Sequence, residues 1–263
     1  MHMLILGLGY TTTRLARRLA SRGWQVTATR RQADGDAIAF DSDDVVAAIA
    51  TATHILSSVP PADDRDPVLN RYGTLLAAAP ARWIGYLSST GVYGDAGGAW
   101  VDESSPVGFG RRSARVAADL AWQALRDDVR VFRLPGIYGP GRSAIDRVRA
   151  GTAQRIDAPQ HRFSRIHVDD IVRCVEASFD RGGPGVLNIA DAEPATNAKV
   201  IEYACDLLGV SYPPLELLED ARMSPMARGF YAESRQVSAG KMVRELGIEL
   251  TYPDFRSGLR ACL

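Results

Sequence analysis

The sequence predicts an α/β fold: a doubly wound, mainly parallel sheet with a small C-terminal substrate lobe interleaved with it. Two observations lead there. Short apolar runs alternate with helical patterns along most of the 263 residues, and parallel strands need such crossovers. A glycine turn, Gly7-Leu8-Gly9, sits between the first strand and the first helix, where open α/β sheets hold ligands.

Each element follows from its own residues. Met3-Leu4-Ile5-Leu6 is a short apolar strand, and a helical stretch from Thr13 to Ala20 is stopped by Gly23. Gln25 to Thr29 is extended again, and Ala37-Ile38-Ala39-Phe40 is a third strand. Asp41-Ser42-Asp43 caps a helix through Val45 and Ile49. Thr53 to Ser57 is a fourth strand, which Ser58-Val59-Pro60-Pro61 turns away, because proline cannot donate to a ladder. Asp63-Asp64-Arg65-Asp66-Pro67 opens a helix to about Ala78, and Trp83 to Ser88 is a fifth strand. Ser113 to Leu125 is a helix with Val116, Ala117, Leu120 and Ala121 on one face. Arg130 to Leu134 is the sixth strand. Beyond Gly139 the pattern is less regular. It gives a helix over Ile145–Ala150, an extended run Phe163–His167, and a helix from Val168 to Phe179 opened by Asp169-Asp170. A strand over Gly185–Ala190 and a helix from Thr196 to Leu208, ended by Gly209, complete the reading.

Composition narrows the function. Lys+Arg and Asp+Glu are both 31, the hydrophobic fraction is 46% and the charged fraction 24%. A balanced charge offers no steering toward nucleic acid or an anionic membrane. No apolar run reaches membrane-spanning length and no charged-then-apolar leader precedes the first strand, so a cytoplasmic location is expected. Cys174, Cys205 and Cys262 are far apart, His2, His54, His161 and His167 form no local motif, and no metal site is expected. The expected partner is a small-molecule substrate, with a homodimer left open.

The glycine turn carries chemistry. Gly7 allows the tight turn off the strand, and Gly9 lets phosphate oxygens approach the backbone at a helix N-terminus. A full fingerprint has a third glycine where this chain has Thr12, which is expected to hold helix and strand slightly apart. Tyr10, Thr11 and Thr12 bring hydroxyls that either bond a phosphate or cap the helix. The second strand ends at Thr29-Arg30-Arg31. Two guanidinium groups suit a ribose 2′-phosphate, so NADP(H) is favoured over NAD(H). The alternative is a ribose held by Asp34, Asp36 or Asp41.

Four segments together resemble the extended short-chain dehydrogenase/reductase family, the NAD(P)-dependent epimerase/dehydratase group, in its atypical branch. They are Gly7-Leu8-Gly9, the run Tyr86-Leu87-Ser88-Ser89-Thr90-Gly91-Val92-Tyr93-Gly94, the run from Arg133 to Arg142, and Arg165-Ile166-His167-Val168-Asp169-Asp170-Ile171. The resemblance implies a Rossmann core over 1–140, with 164–190 returning to it, and a small lobe from 141–163 and 191–263. It implies that Ser89 bonds the reacting oxygen and that Pro135, Ile137 and Tyr138 pass the nicotinamide. It also implies that Ser57, Val59 and Pro60 line the cofactor.

One departure is large. The family's Tyr-x-x-x-Lys pair has no counterpart: Arg115 falls on the lysine and Arg111 on the tyrosine, and sliding the match puts Phe109 there instead. Arg115 would still hold a nicotinamide ribose, but a guanidinium gives up no proton at neutral pH. Tyr93, Tyr138 and His167 are the candidate replacements. Each has a structural alternative: packing for the tyrosines, a helix-capping role for His167. Asp102-Glu103 follows a glycine-rich loop, Gly94–Ala99, that reads either as a lid or as a solvated turn. Arg111, Arg142 and Arg165 favour an anionic substrate, or are solvated surface arginines. Two functions compete: an NADP-dependent reductase, epimerase or dehydratase, and a catalytically lost NADP(H) sensor.

Overall fold

The computed structural model describes every residue except Asp63, Phe109 and Arg112, and the side chain of Met226. The Asp63 start of a helix-opening run and the Phe109 alternative for the missing tyrosine therefore lie outside the described residues.

Thirteen strands and ten α-helices are described. The strands are β1 His2–Leu6, β2 Gln25–Arg30, β3 Ile38–Ala39, β4 His54–Ser57, β5 Trp83–Ser89, β6 Trp100–Val101 and β7 Val129–Leu134. They continue as β8 Gly136–Tyr138, β9 Arg155–Asp157, β10 Arg165–His167, β11 Gly185–Asn188, β12 Leu215–Leu217 and β13 Gln236–Val237. The helices are α1 Tyr10–Ala20, α2 Asp43–Thr51, α3 Pro67–Ala77, α4 Ser113–Leu125 and α5 Ala144–Arg149. They continue as α6 Val168–Ala177, α7 Asn197–Leu208, α8 Pro225–Phe230, α9 Gly240–Leu246 and α10 Phe255–Arg260.

Seven strands form one all-parallel sheet in the order β11-β7-β5-β4-β1-β2-β3. The order reverses at β1, which pairs β2 on one side and β4 on the other. Such a switch point leaves a crevice at the strands' C-terminal ends. Smaller parallel pairs join β8 with β10, β9 with β12, and β6 with β13.

By contacts the chain divides into two compact units. One holds Met1–Val92, Arg112–Arg133 and Val172–Leu187; the other holds Tyr93–Arg111, Leu134–Ile171 and Asn188–Leu263. Residues 93–111 and 134–140 thus fall in the second unit.

The first unit is built on strands buried on both faces, as a parallel sheet requires. One face packs Leu4, Ile55 and Ile84 under α2, α3 and α4, and Tyr86 stacks on Trp122 at 5.1 Å. On β4 and β5 His54 and Trp83 join an aromatic cluster with Trp24 and Phe179. The buried face of α4 is Val116, Ala118, Asp119 and Trp122, whereas Ala117, Leu120 and Ala121 are exposed. The apolar stripe expected from sequence was misphased because a charged residue, Asp119, faces inward. It takes two bonds from Arg133, at 2.7 and 3.1 Å, and one from Ser88 at 2.6 Å. The second unit packs α5, α7 and α10 around Ile145, Ile201, Phe255 and Leu259.

Candidate functional site

In the first unit the glycine turn is clamped from three sides by hydroxyl groups. The Gly7 N–H donates to Thr29 Oγ1 at 3.0 Å, at the end of β2. The Gly7 carbonyl accepts from Ser58 Oγ at 2.6 Å, just past β4, and from Thr12 Oγ1 at 2.8 Å. The Gly9 N–H donates back to Thr12 Oγ1 at 2.8 Å. Thr12 is 1% exposed. Its hydroxyl has one proton to give and gives it to the turn. The expected spacer is therefore a clasp, and of the two roles left open for this hydroxyl the capping one is observed.

The two glycines are used differently. Gly7 has φ +96°, and a Cβ there would lie 2.9 Å from Val59 Cγ2. Its backbone and its neighbour both demand glycine. Gly9 is the N-cap of α1 with ordinary extended angles, and a Cβ there would meet nothing within 4 Å. Glycine at this position serves no internal packing. It leaves space over the start of a helix whose N-cap residue has no side chain of its own to cap with, a place suited to an anion.

Around the turn, Tyr10 lies under the Arg14 guanidinium, and Thr11 is half-buried. Ser57 is fully buried at the end of β4, and its hydroxyl has no hydrogen-bond partner. Val59 is half-buried and Pro60 exposed. At the end of β2, Arg30 pairs with Asp34 and Arg31 is exposed. Asp34 is thus turned to an arginine. Ser89 ends β5, half-buried, with its Oγ accepting the Gly91 N–H at 3.1 Å. Arg115, one turn into α4, is half-buried and makes no hydrogen bond or ion pair among the described residues.

The second unit holds the other candidates. Tyr93 is 3% exposed and its hydroxyl donates to Asn188 Oδ1 at 2.7 Å. His167 is fully buried, packed at a tilt against Tyr252 and met edge-on by Tyr138. Its Nδ1 accepts the Asp169 N–H at 3.3 Å, which is the helix-capping alternative. Arg111 is held by the Gly229 carbonyl and by Glu233, which also takes its backbone N–H. The Gly94–Ala99 loop is not an open lid. Ala96 and Gly98 donate to the Ser234 carbonyl, and Asp95 accepts the Ser234 N–H. Glu103 is fastened by the Asn188 N–H at 2.7 Å.

A cavity of about 450 Å³ opens within the second unit, behind β8 and α5. Pro135 leads into β8 and is half-buried. Ile137 and Tyr138 line the cavity on one side, Phe255 and Leu259 on another. Burial pushes the Tyr138 phenol well above its ordinary range. Arg142, Arg147 and Arg165 face the same space. Beside it Asp191 is 2% exposed, and burial lifts its carboxyl to about 8 against the pull of Arg165. Sequence reasoning missed Arg147 and Asp191. Arg147 sits on a short amphipathic helix where arginine is unremarked, and only the position of Asp191 just past a sheet strand was a usable signal.

No family model matches the chain. Protein YeeZ of Escherichia coli K12 is 30% identical over 95% of this chain and 96% of its own length. A functionally unknown conserved protein of Silicibacter pomeroyi is 41% identical in its solved structure, with a TM-score of 0.90 over 99% of this chain and 97% of that one. The human epimerase family protein SDR39U1 (isoform 2), solved with NADPH, is 20% identical with a TM-score of 0.79, over 99% of this chain and 98% of that one. No described helix is long and apolar enough to cross a membrane.

Proposed function

This chain belongs to the family of protein YeeZ and has the fold of the atypical extended short-chain dehydrogenases/reductases, and from that premise we propose that it is an NADP(H)-dependent enzyme. Its reaction is of the epimerase, dehydratase or reductase type, on a small carbonyl or sugar-nucleotide-like substrate. The observation that carries the reading is the turn at Gly9, clamped into shape by Thr12, Thr29 and Ser58 yet with open space where a side chain would stand. A preset cradle of backbone N–H groups at a helix start suits a diphosphate. The buried, unpartnered Ser57 hydroxyl nearby is a further donor.

Within this reading Gly7, Gly9, Tyr10 and Thr11 frame the diphosphate, Ser57, Val59 and Pro60 the wall beside it, and Arg30 and Arg31 the 2′-phosphate. The exposed Arg30–Asp34 pair is worth little in water, so a phosphate displaces Asp34 readily. Arg115 holds the nicotinamide ribose. The bound nicotinamide supplies hydride chemistry. Ser89 donates a hydrogen bond to the reacting oxygen, a role its half-buried position at a strand end allows.

A second reading, an NADP(H) sensor without turnover, is favoured by one observation. The residue in the proton donor's place, Arg111, is tied to Gly229 and Glu233, while Tyr93 and His167 are buried. Titration of NADPH and NADH against the wild type and the Arg30→Ala/Arg31→Ala variant tests the cofactor. NADPH binding more tightly than NADH, with the preference erased in the variant, supports it; equal binding by the wild type refutes the arginine argument. Cofactor turnover with a carbonyl panel, lost in Ser89→Ala, then separates the enzyme from the sensor.

A further inference from the structure

We propose that the cavity of the second unit binds the anionic group of the substrate, a phosphate monoester or a carboxylate, between the guanidinium groups of Arg147 and Arg165 with Arg142 at the edge. This deepens the reading above and rests on it for the rest of the substrate. It does not rest on it for the anion.

Charge makes the case. Three guanidinium groups face the cavity and one carboxylate, Asp146, stands among them. That carboxylate is already engaged: it accepts the Ser143 N–H at 2.7 Å and the Ser143 hydroxyl at 2.6 Å, capping α5. Arg165 gives Nη1 to the carbonyls of Phe163 and Ala195, at 2.7 and 2.9 Å, which fixes its direction without neutralising it. Burial lifts the carboxyl of its acidic neighbour, Asp191, to about 8, which weakens its hold on the Arg165 charge. Arg147 makes no hydrogen bond or ion pair through its side chain among the described residues.

The arginines also work against each other. Burial, with Arg147 adding to it, lowers the Arg165 guanidinium to about 10, and burial lowers that of Arg147. Arg165 is half-buried and Arg147 keeps an exposed side, and neither makes an ion pair with a carboxylate among the described residues. An anion relieves both, and the guanidinium fork matches phosphate or carboxylate oxygens. The remaining wall is apolar, formed by Ile137, Val200, Phe255 and Leu259. It suits a small carbon skeleton attached to the charge, and the volume lies within the range of small-molecule sites.

The test uses the full chain with inorganic phosphate or acetate, each against chloride at matched ionic strength, and reads thermal stability. Saturable stabilisation of the wild type is expected, with Arg147→Ala binding about tenfold more weakly and Arg147→Lys in between. Response to phosphate alone assigns a phosphate monoester, and to acetate alone a carboxylate. Response to both supports the site through its charge. Arg147 has no internal bond to lose and repels Arg165, so Arg147→Ala is expected to melt no lower than the wild type without anion. No effect beyond chloride, or an unchanged response in Arg147→Ala, overturns the proposal. NADPH titration of the same proteins separates the two readings. A wild type that binds phosphate but not NADPH leaves this site standing and removes the cofactor.

Discussion

The Thr12 hydroxyl donates to the Gly7 carbonyl and accepts from the Gly9 N–H, both at 2.8 Å, so one side chain closes the turn onto itself. A glycine at this position would leave the Gly9 N–H to find another partner and the Gly7 carbonyl with Ser58 alone. The helix start would then lose the bond that fixes its N-cap. Replacing Thr12 with Val, nearly the same shape without the hydroxyl, is expected to cost about 1–3 kcal/mol, because the Gly9 N–H is left unsatisfied and the Gly7 carbonyl keeps only Ser58. Urea denaturation measures it, and an unchanged midpoint would show that the clasp is idle.

The two glycines of the turn separate folding from binding. Gly7→Ala forces an L side chain to φ +96° and against Val59, for an expected loss of about 1–3 kcal/mol or more. Gly9→Ala has ordinary angles and open space, so the melting temperature should stay at the wild-type value. Its methyl group occupies the space assigned to the diphosphate, and NADPH affinity should fall at least about tenfold, the loss of one good hydrogen bond to a charged group. Calorimetry on the two variants checks both halves. A Gly9→Ala protein that binds NADPH normally would remove the cradle from the cofactor site.

Much of the sheet was legible because its strands are apolar runs with clear stops. Ser42, Thr196 and Gly209 cap helices where the sequence reading put them. The clasp around Gly7 was not legible, since Thr29 and Ser58 reach it from strand ends that only the sheet order brings together. The phase of α4 was lost for a related reason. Its partner Arg133 is fourteen residues from Asp119, and nothing local marks an aspartate as internal. The cavity arginines illustrate the same limit: Arg142 and Arg147 share the segment around α5, Arg165 lies on β10, and they meet only through the packing of the two.

The Asp119–Arg133 pair is fully internal, at 0% and 3% exposure. Removing one member strands the other charge away from water, which typically costs about 3–5 kcal/mol. Asp119→Ala should therefore destabilise the protein strongly, while Asp119→Leu/Arg133→Met should cost clearly less than the sum of its single changes. Denaturant midpoints of the wild type, Asp119→Leu, Arg133→Met and the double variant form the cycle. Additive losses would mean that the pair contributes no coupling.

Asp191 gives a pH dependence of definite sign. Burial raises its folded-state value from 3.8 to about 8, so between those limits the folded protein binds more protons than the unfolded chain. Stability from this residue is present below about pH 4 and declines as pH rises through 8. An Asp191→Asn variant carries no such charge. It should match the wild type near pH 4 and exceed it increasingly up to pH 8 to 9, by a few kcal/mol at most. Chemical denaturation at several pH values reads the difference directly. If the wild type and Asp191→Asn run parallel across that window, the carboxyl ionises as freely in the folded state as in the unfolded one. Asp191 would then be charged at neutral pH and would neutralise Arg165 itself, leaving Arg147 as the cation in need of a partner.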